Sequence, residues 1–382
     1  MNQALSFREA SINLEGNSLV VDAEYCVNLR ARREICRRCA DACPADALTL
    51  GLDEVKVERD ACHNCGACNA VCPTAALSLS GFNPGRFVEA AAQAEAAHLH
   101  CRESRSTGGG AVIPCHQLLD RDLIAAASAE GVRQWHLHGL EHCEQCPRGD
   151  AREHCRTLGD ELQRWFGEQA PAWELAPTDD SAGERQLEHQ QRVSRRHFLR
   201  FAGAEGVEQA VRWIVPLEQP EDQLDALPFY QSSEHPQRPQ PHRQQLVGRV
   251  DQLAWSENAP LPWRPRVVSE DCTLCGSCGA RCPTGALLQQ EQGGVVALGF
   301  AADLCTDCGL CEQVCPTGAV TAQPPLSAIA DLGHQRQLLI RRQQRACLQC
   351  GHAYLPAADE AYCPCCSKER ELDEDWMAML GS

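Results

Sequence analysis

CTLCGSCGARCP at 272–283 and CTDCGLCEQVCP at 305–316 are two copies of one phrase: three cysteines spaced by two residues, a fourth after three more, then proline. CHNCGACNAVCP at 62–73 repeats it far upstream, and Cys36, Cys39 and Cys43-Pro44 form an incomplete copy. The chain of 382 residues holds 26 cysteines. A secreted disulfide scaffold is a poor reading. Such scaffolds are small, Met1–Val20 reads as no charged-then-apolar leader, and cysteines two residues apart in tight turns suit a metal better than a bridge to each other. Zinc takes two C-x2-C pairs, not repeated runs of four with a trailing Cys-Pro.

With a formal net charge of −17, 43% hydrophobic and 5% aromatic residues, the chain is long enough for several domains. The acidic balance argues against nucleic acid, which wants basic patches. It fits docking on a basic surface of a redox protein partner, and equally a role in solubility alone. No apolar run reaches the roughly 20 residues of a membrane span. The cysteine usage implies a reducing compartment, so a cytoplasmic location is expected.

The runs resemble those of bacterial two-[4Fe–4S] ferredoxins, over about residues 20–80 and 267–322. In that family the fourth cysteine of each run serves the other cluster. The resemblance implies four [4Fe–4S] clusters. One takes Cys272, Cys275, Cys278 and Cys315, and another Cys305, Cys308, Cys311 and Cys282. A third takes Cys62, Cys65, Cys68 and Cys43. The fourth has Cys36, Cys39 and Cys72 and lacks a ligand where Arg33 stands; Cys26, ten residues before Cys36, fills the set if a loop brings it in. Otherwise that site is a three-cysteine cluster. After each Cys-Pro an apolar strand is expected, at Ala45–Leu50, Thr74–Leu79, Thr284–Leu288 and Thr317–Thr321. Gly66, Gly276, Gly279 and Gly309 lie between ligands, where positive φ lets backbone N–H groups approach sulfur.

Between the two modules the pattern changes. Helices are expected over Arg86–Ala97, Leu118–Glu130 and Asp150–Phe166, and strands over His98–Cys101, Ala111–Pro114 and Val132–His138. That alternation predicts a parallel sheet covered by helices. Cys101, Cys115, Cys143 and Cys146 each follow a strand and belong at one sheet edge, with the C-x2-C pair ahead of a helix N-terminus that favours thiolates. Residues 97–167 resemble the delta subunit of methyl-viologen-reducing hydrogenases, on Val112–Cys115 and Gly131–Asp150, with His138-Gly139 where that family ends in Gly-Cys. The resemblance implies a [2Fe–2S] cluster, or another metal, on these four cysteines. Cys155, inside the third helix, reads as structural. His98, His100, His136, His138 and His142 gather near the cysteines and read as polar edge residues.

Val193–Val207 carries Ser-Arg-Arg-x-Phe-Leu-Arg, which matches a twin-arginine export signal, but Glu205, Glu208 and Arg212 spoil the apolar stretch that should follow. A helix capped by Ser194 is the simpler reading. Pro216–Pro265 is rich in proline and glutamine and reads as a linker, or as a strap across a partner or another domain. At the C-terminus Cys347-x2-Cys350 and Cys363-x2-Cys366, twelve residues apart, spell a zinc ribbon, leaving Cys365 spare. Rubredoxin-like iron uses the same spacing.

The expected fold is α+β and multidomain, with two ferredoxin-like modules flanking a central α/β domain and a small ribbon. Boundaries fall at 1–84, 85–180, a helical segment 181–215, the linker 216–266, 267–326, and a helix with ribbon over 327–382. No nucleotide fingerprint appears, since Thr107–Gly110 lacks the G-x-G-x-x-G pattern, and no flavin, nicotinamide or Ser/His/Asp site is legible. An electron-transfer subunit is the simplest function, similar to those accompanying formate dehydrogenases, hydrogenases or heterodisulfide-reductase-like systems. Two alternatives stay open: an accessory factor that assembles such an oxidoreductase, and an enzyme with a catalytic metal at the central cysteines.

Overall fold

Short strands with alternating burial open the described part of the chain. In the computed structural model of the protein, residues 18–104, 111–175, 236–257, 259–356 and 360–380 are described. Thr107–Gly110, the twin-arginine-like stretch, the helical segment 181–215 and linker residues 216–235 lie outside them. All described residues belong to one compact unit.

Strand β1 (Leu19–Val21) pairs antiparallel with β4 (Leu77–Leu79), Leu19 opposite Leu79. Strands β2 (Leu48–Leu50) and β3 (Val55–Val57) form a hairpin, burying Leu48 and Val55 while Thr49 and Lys56 face out. Helices α1 (Val27–Ala31), α2 (Arg38–Asp41) and α3 (Ala67–Val71) carry or follow the cysteines. The same plan returns downstream: β9 (Arg266–Val268) pairs with β12 (Val320–Ala322), and β10 (Leu287–Gln292) with β11 (Val295–Phe300). Here α8 (Ser277–Arg281) and α9 (Leu310–Gln313) are the short helices, and β13 (Gln337–Gln343) adds a third strand beside β11. The strands after Cys-Pro start later than expected. Asp46, Ala75, Gly285 and Gly318, each three residues past a trailing cysteine, sit at φ between +49° and +72°, and that left-handed turn must finish before an extended strand begins.

The central sheet is parallel, in the order β6 (Ala111–Ile113), β5 (Ala96–Cys101), β7 (Gln134–His138), β8 (Ala172–Glu174). Helix α4 spans Pro84–Ala91, with Pro84 in its first turn and Asn83 accepting from the Arg86 amide at 3.0 Å. It stops short of Ala97, because Ala96 and Ala97 pair with Gln134 and Trp135; sheet pairing overrides the helix propensity of the alanine-rich run. Helix α5 (Arg121–Ala129) starts later than expected, where Asp120 caps it by accepting from the Leu123 amide at 2.9 Å. Helix α6 (Arg152–Phe166) ends at Gly167, φ +53°.

The described part of the Pro/Gln-rich segment is a strap. Its helix α7 (Pro241–Val247) buries Leu246, and beyond it Val250, Leu261 and Trp263 are buried in a core continuous with the central sheet and the downstream hairpin. Arg243 pairs with Asp122 at 2.9 Å and lies over the Trp263 ring, and buried His242 pairs with Asp120. Trp255 packs on Trp165, centroids 5.4 Å apart. A hairpin of β14 (Arg345–Ala346) and β15 (Ala353–Tyr354), then helix α10 (Pro364–Leu380), complete the chain.

Candidate metal centres

The intact runs fold alike. Asn64, Leu274 and Asp307, each just before a second cysteine, take φ of +51° to +54°. Gly66, Gly276 and Gly309, each just after it, take +76° to +90° and cap the short helices that carry the third cysteines. Gly279 departs from expectation: it lies inside α8, and its small size serves close approach, a Cβ there meeting the Gln289 amide nitrogen at 3.3 Å.

These turns gather the thiols in the crossed sets. Cys43, Cys62, Cys65 and Cys68 (the Cys62 set) line a cavity of about 380 Å³, and Cys272, Cys275, Cys278 and Cys315 (the Cys272 set) one of about 310 Å³. Burial pushes the Cys68 and Cys278 thiols up, Cys278 to about 12, and their neighbouring thiols add to it. In Cys275 and Cys315, hydrogen bonds led by the Ser277 and Thr317 hydroxyls outweigh burial and lower the thiols. Cys282 acts on Cys305, Cys308 and Cys311 (together the Cys305 set), with burial pushing Cys305 to about 12. Arg266, 2% exposed and paired with Asp307, directs its guanidinium at Cys305 and Cys311.

Cys26 joins Cys36, Cys39 and Cys72 (the Cys26 set): the Cys39 thiol, pushed up to about 12 by burial, is acted on by the other three. Buried Asn28 explains how the insertion reaches the site. Its Oδ1 accepts from the amides of Ile35 and Cys36 at 2.9 and 2.8 Å, and its Nδ2 donates to the Cys36 carbonyl at 2.8 Å. One side chain thus clamps the Cys36 loop onto the helix that begins just after Cys26. Nothing in the spacing singled out Asn28. A second feature is written in the sequence: threonine follows three of the four Cys-Pro pairs, and Thr74, Thr284 and Thr317 place their hydroxyls 3.6–3.7 Å from the sulfurs of Cys72, Cys282 and Cys315.

Cys101, Cys115, Cys143 and Cys146 also come together, around a cleft of about 290 Å³ at the carboxyl edge of the sheet. Gly139 ends β7 at φ +90°, where a Cβ would meet the Cys101 sulfur at 2.8 Å, so glycine is required beside that thiol. Burial raises Cys143, partly offset by the Ala151 amide at the start of α6. Cys155 is fully buried in α6, and burial pushes its thiol to about 12. The histidines stack on one face of the sheet, His98 on His136 and His100 on His138, both with centroids 4.4 Å apart, and His98 Nδ1 lies 3.0 Å from His138 Nε2. His142 lies apart from the stack and lines the cysteine cleft. His116, absent from the sequence reading, is buried with Nε2 2.9 Å from the His138 carbonyl, and burial lowers both His100 and His116 to about 4.

At the C-terminus the ligand atoms of Cys347, Cys350, Cys363 and Cys366 all lie within 4.8 Å of one another. The Cys350 and Cys363 sulfurs are 3.8 Å apart, the separation that bonds of about 2.3 Å to a tetrahedral ion produce. Gly351, φ +74°, turns the knuckle, and backbone amides hold the Cys347 thiol down at about 6. Cys365 is exposed.

A family model for the 4Fe-4S dicluster domain matches residues 35–76 and 271–319. An uncharacterised ferredoxin of Methanocaldococcus jannaschii is 33% identical over 70 residues, which cover 17% of this chain and 82% of that protein. The chain belongs to the ferredoxin family. As such it is a 4Fe–4S iron–sulfur protein of electron transport. The ferredoxin 7Fe of Hydrogenibacillus schlegelii is 41% identical over 46 residues, 12% of this chain and 59% of that one. The ferredoxin-type protein NapF of Haemophilus influenzae is 39% identical over 57 residues, 14% and 32% respectively. This ferredoxin therefore spans about three-fifths of the first relative and about a third of NapF. Among its described residues no helix is long and apolar enough to cross a membrane.

Proposed function

We propose that this ferredoxin is an electron-transfer subunit or partner of an oxidoreductase complex. It carries four [4Fe–4S] clusters on the Cys26, Cys62, Cys272 and Cys305 sets, a [2Fe–2S] cluster on the central set, and zinc on Cys347, Cys350, Cys363 and Cys366. The observation that carries the reading is the agreement between the family's crossed ligand rule and the way the thiols group in the fold. The four central thiols line one cleft, and the resemblance of this domain to the hydrogenase delta subunit is what favours a two-iron cluster there. A bound cluster supplies a one-electron couple. The chain's own groups set its surroundings: Arg266 places positive charge by Cys305 and Cys311, and the threonine hydroxyls sit against the trailing sulfurs. With a net charge of −17 the partner surface is basic. The boundaries at 84, 180, 215, 266 and 326 serve as working limits of the modules.

Anaerobic metal and sulfide analysis of the full chain tests this. The expected content is about eighteen irons, sixteen in cubanes and two in the central site, with one zinc. Eight irons or fewer with several zincs refutes the electron-transfer reading. A factor that serves only in assembly leaves its partner before turnover, so co-purification of the loaded protein with an active oxidoreductase separates the two roles.

A further inference from the structure

The order of the sets in sequence puts the central one between the two ferredoxin modules, where it would pass electrons from one to the other. The contacts place it elsewhere. We propose that the five sets form one unbranched series, central, Cys62, Cys26, Cys305, Cys272, and that the modules meet at Arg30, a positioning residue holding the Cys26 set against the Cys305 set. The proposal rests on the electron-transfer reading above.

The central set abuts the Cys62 set through two contacts that exclude side chains. A Cβ on Gly149, three residues past Cys146, would meet the Pro44 Cβ at 2.5 Å, and Pro44 follows Cys43. A Cβ on Gly66, next to Cys65, would meet the side chain of Leu118 at 2.6 Å, three residues past Cys115. Cys65, next to Gly66, is the thiol that acts most strongly on Cys115. The Cys62 and Cys26 sets share the next core, where Cys39, Cys68 and Cys72 are all buried. Within the downstream module the two short helices that carry Cys278 and Cys311 are in contact, and the Cys311 thiol acts on Cys278.

The remaining step is the passage between modules, and the protein has built it from arginine. The Arg30 amide donates to the Cys26 carbonyl at 3.0 Å. Its guanidinium, in a residue 4% exposed, donates to the carbonyl of Arg281, the residue before Cys282, at 3.0 Å, to Glu24 at 2.5 Å, and to Pro236. The Cys282 and Cys308 thiols act on that guanidinium. Arg238 repeats the tie from the strap. Its amide donates to the Pro283 carbonyl at 3.0 Å, while its guanidinium donates to the Ala75 carbonyl at 2.9 Å and pairs with Asp22 at 3.0 Å. Both arginines join residues beside Cys26 or Cys72 to residues beside Cys282. A buried cation bonded to three carbonyls from three segments fixes a geometry that neutral packing would leave free. The ends of the series are then the central cleft and the Cys272 set, whose Cys275 is exposed.

The test is EPR of the reduced, anaerobic full-length protein, reading magnetic coupling between neighbouring sites. In the parent, the Cys305-set signal should be broadened from both sides. Cys39→Ala, which removes the Cys26 set, should abolish the broadening that arrives from the N-terminal half and keep the coupling of the Cys305 and Cys272 sets. Arg30→Gln should weaken that same inter-module coupling with iron content unchanged, an effect that a merely structural role would not confine to one signal. The double variant Cys101→Ala/Cys115→Ala should leave the inter-module coupling intact. If the double variant is the one that removes it, or if both Cys39→Ala and Arg30→Gln leave it unchanged, the series is wrong. Iron analysis of the same parent sample keeps the two ideas apart. A low count sinks the electron-transfer reading and the series with it, whereas a full count with the wrong coupling pattern sinks the series alone.

Discussion

The downstream ferredoxin-like module assembles its two thiol sets from two intact runs, and the upstream one from a single intact run plus an insertion. At Cys272 and Cys305 the first ligand stands three residues before the second, on a left-handed turn at Leu274 or Asp307. At the Cys26 set that position is Arg33, and the thiol that joins the set stands seven residues further back, at the N-cap of helix α1. The replacement needs its own fastening, which Asn28 provides through three hydrogen bonds. A buried polar side chain thus holds the detour that brings the Cys26 thiol to the other three.

The sharpest way to break that equivalence is to remove the two first ligands in turn. Cys26→Ser and Cys272→Ser should each cost one cluster, about four of the irons or conversion to a three-iron form, and leave the other module's EPR signals untouched. If Cys26→Ser keeps the parent iron count and spectrum, Cys26 is no ligand and the upstream site is a three-cysteine one.

Next in size is the strap that fastens the central sheet's helix α5. Breaking a buried ion pair costs about 3–5 kcal/mol, and His242→Gln removes the partner of Asp120. The pH dependence has a definite sign. The neighbouring Asp120 and Asp122 raise His242 against the cost of burial, so its contribution is full below about pH 6.5 and fades as pH rises through the raised value. The His242 charge lowers Asp120 despite burial, so that contribution is present above about pH 4 and fades as pH falls. Denaturant midpoints across pH should therefore show a maximum in mildly acidic buffer for the parent and a flatter profile for His242→Gln.

Asn28→Ala should come third, at about 1–3 kcal/mol for leaving the Ile35 and Cys36 backbone groups unpaired. Its distinguishing result is selectivity: partial loss of the Cys26-set signal with the downstream module unchanged. Equal loss in both modules would mean that Asn28 supports the fold at large and not the detour.

These tests bear on what the chain reveals of itself. The cysteine spacing is a local code, and it grouped the thiols as the fold does, because each short gap fixes a tight turn. The central parallel sheet was legible from alternating apolar runs, down to the shared edge of Cys101, Cys115, Cys143 and Cys146. What spacing does not encode is three-dimensional adjacency between distant segments. Arg30 meeting Arg281, Gly149 meeting Pro44 and the strap closing on Asp120 all join residues more than a hundred apart in sequence. Strand β8 escaped notice because three residues, two of them exposed, carry almost no periodic signal.

The smallest expected effect compares four trailing cysteines that differ by one hydroxyl. Thr74, Thr284 and Thr317 lie two residues past Cys72, Cys282 and Cys315, while Ala45 holds that place after Cys43, whose sulfur instead accepts from the Ala47 amide at 3.3 Å. A hydrogen bond to a ligand sulfur stabilises the reduced, more negative state, so it raises the potential. A bond worth about 1 kcal/mol corresponds to about 40 mV for one electron. Valine keeps the shape of threonine and removes the donor. Thr74→Val, Thr284→Val and Thr317→Val should each lower one potential by about that amount, those of the Cys26, Cys305 and Cys272 sets in turn, read by EPR-monitored titration. Because the crossed rule sends each trailing cysteine to the opposite set, the identity of the shifted signal is as telling as its size. A Thr284→Val variant that moves the Cys272-set signal and spares the Cys305 set would contradict the crossing itself. The Cys62 set, with alanine in the threonine place, should stay still in all three variants, and Ala45→Thr should raise it alone.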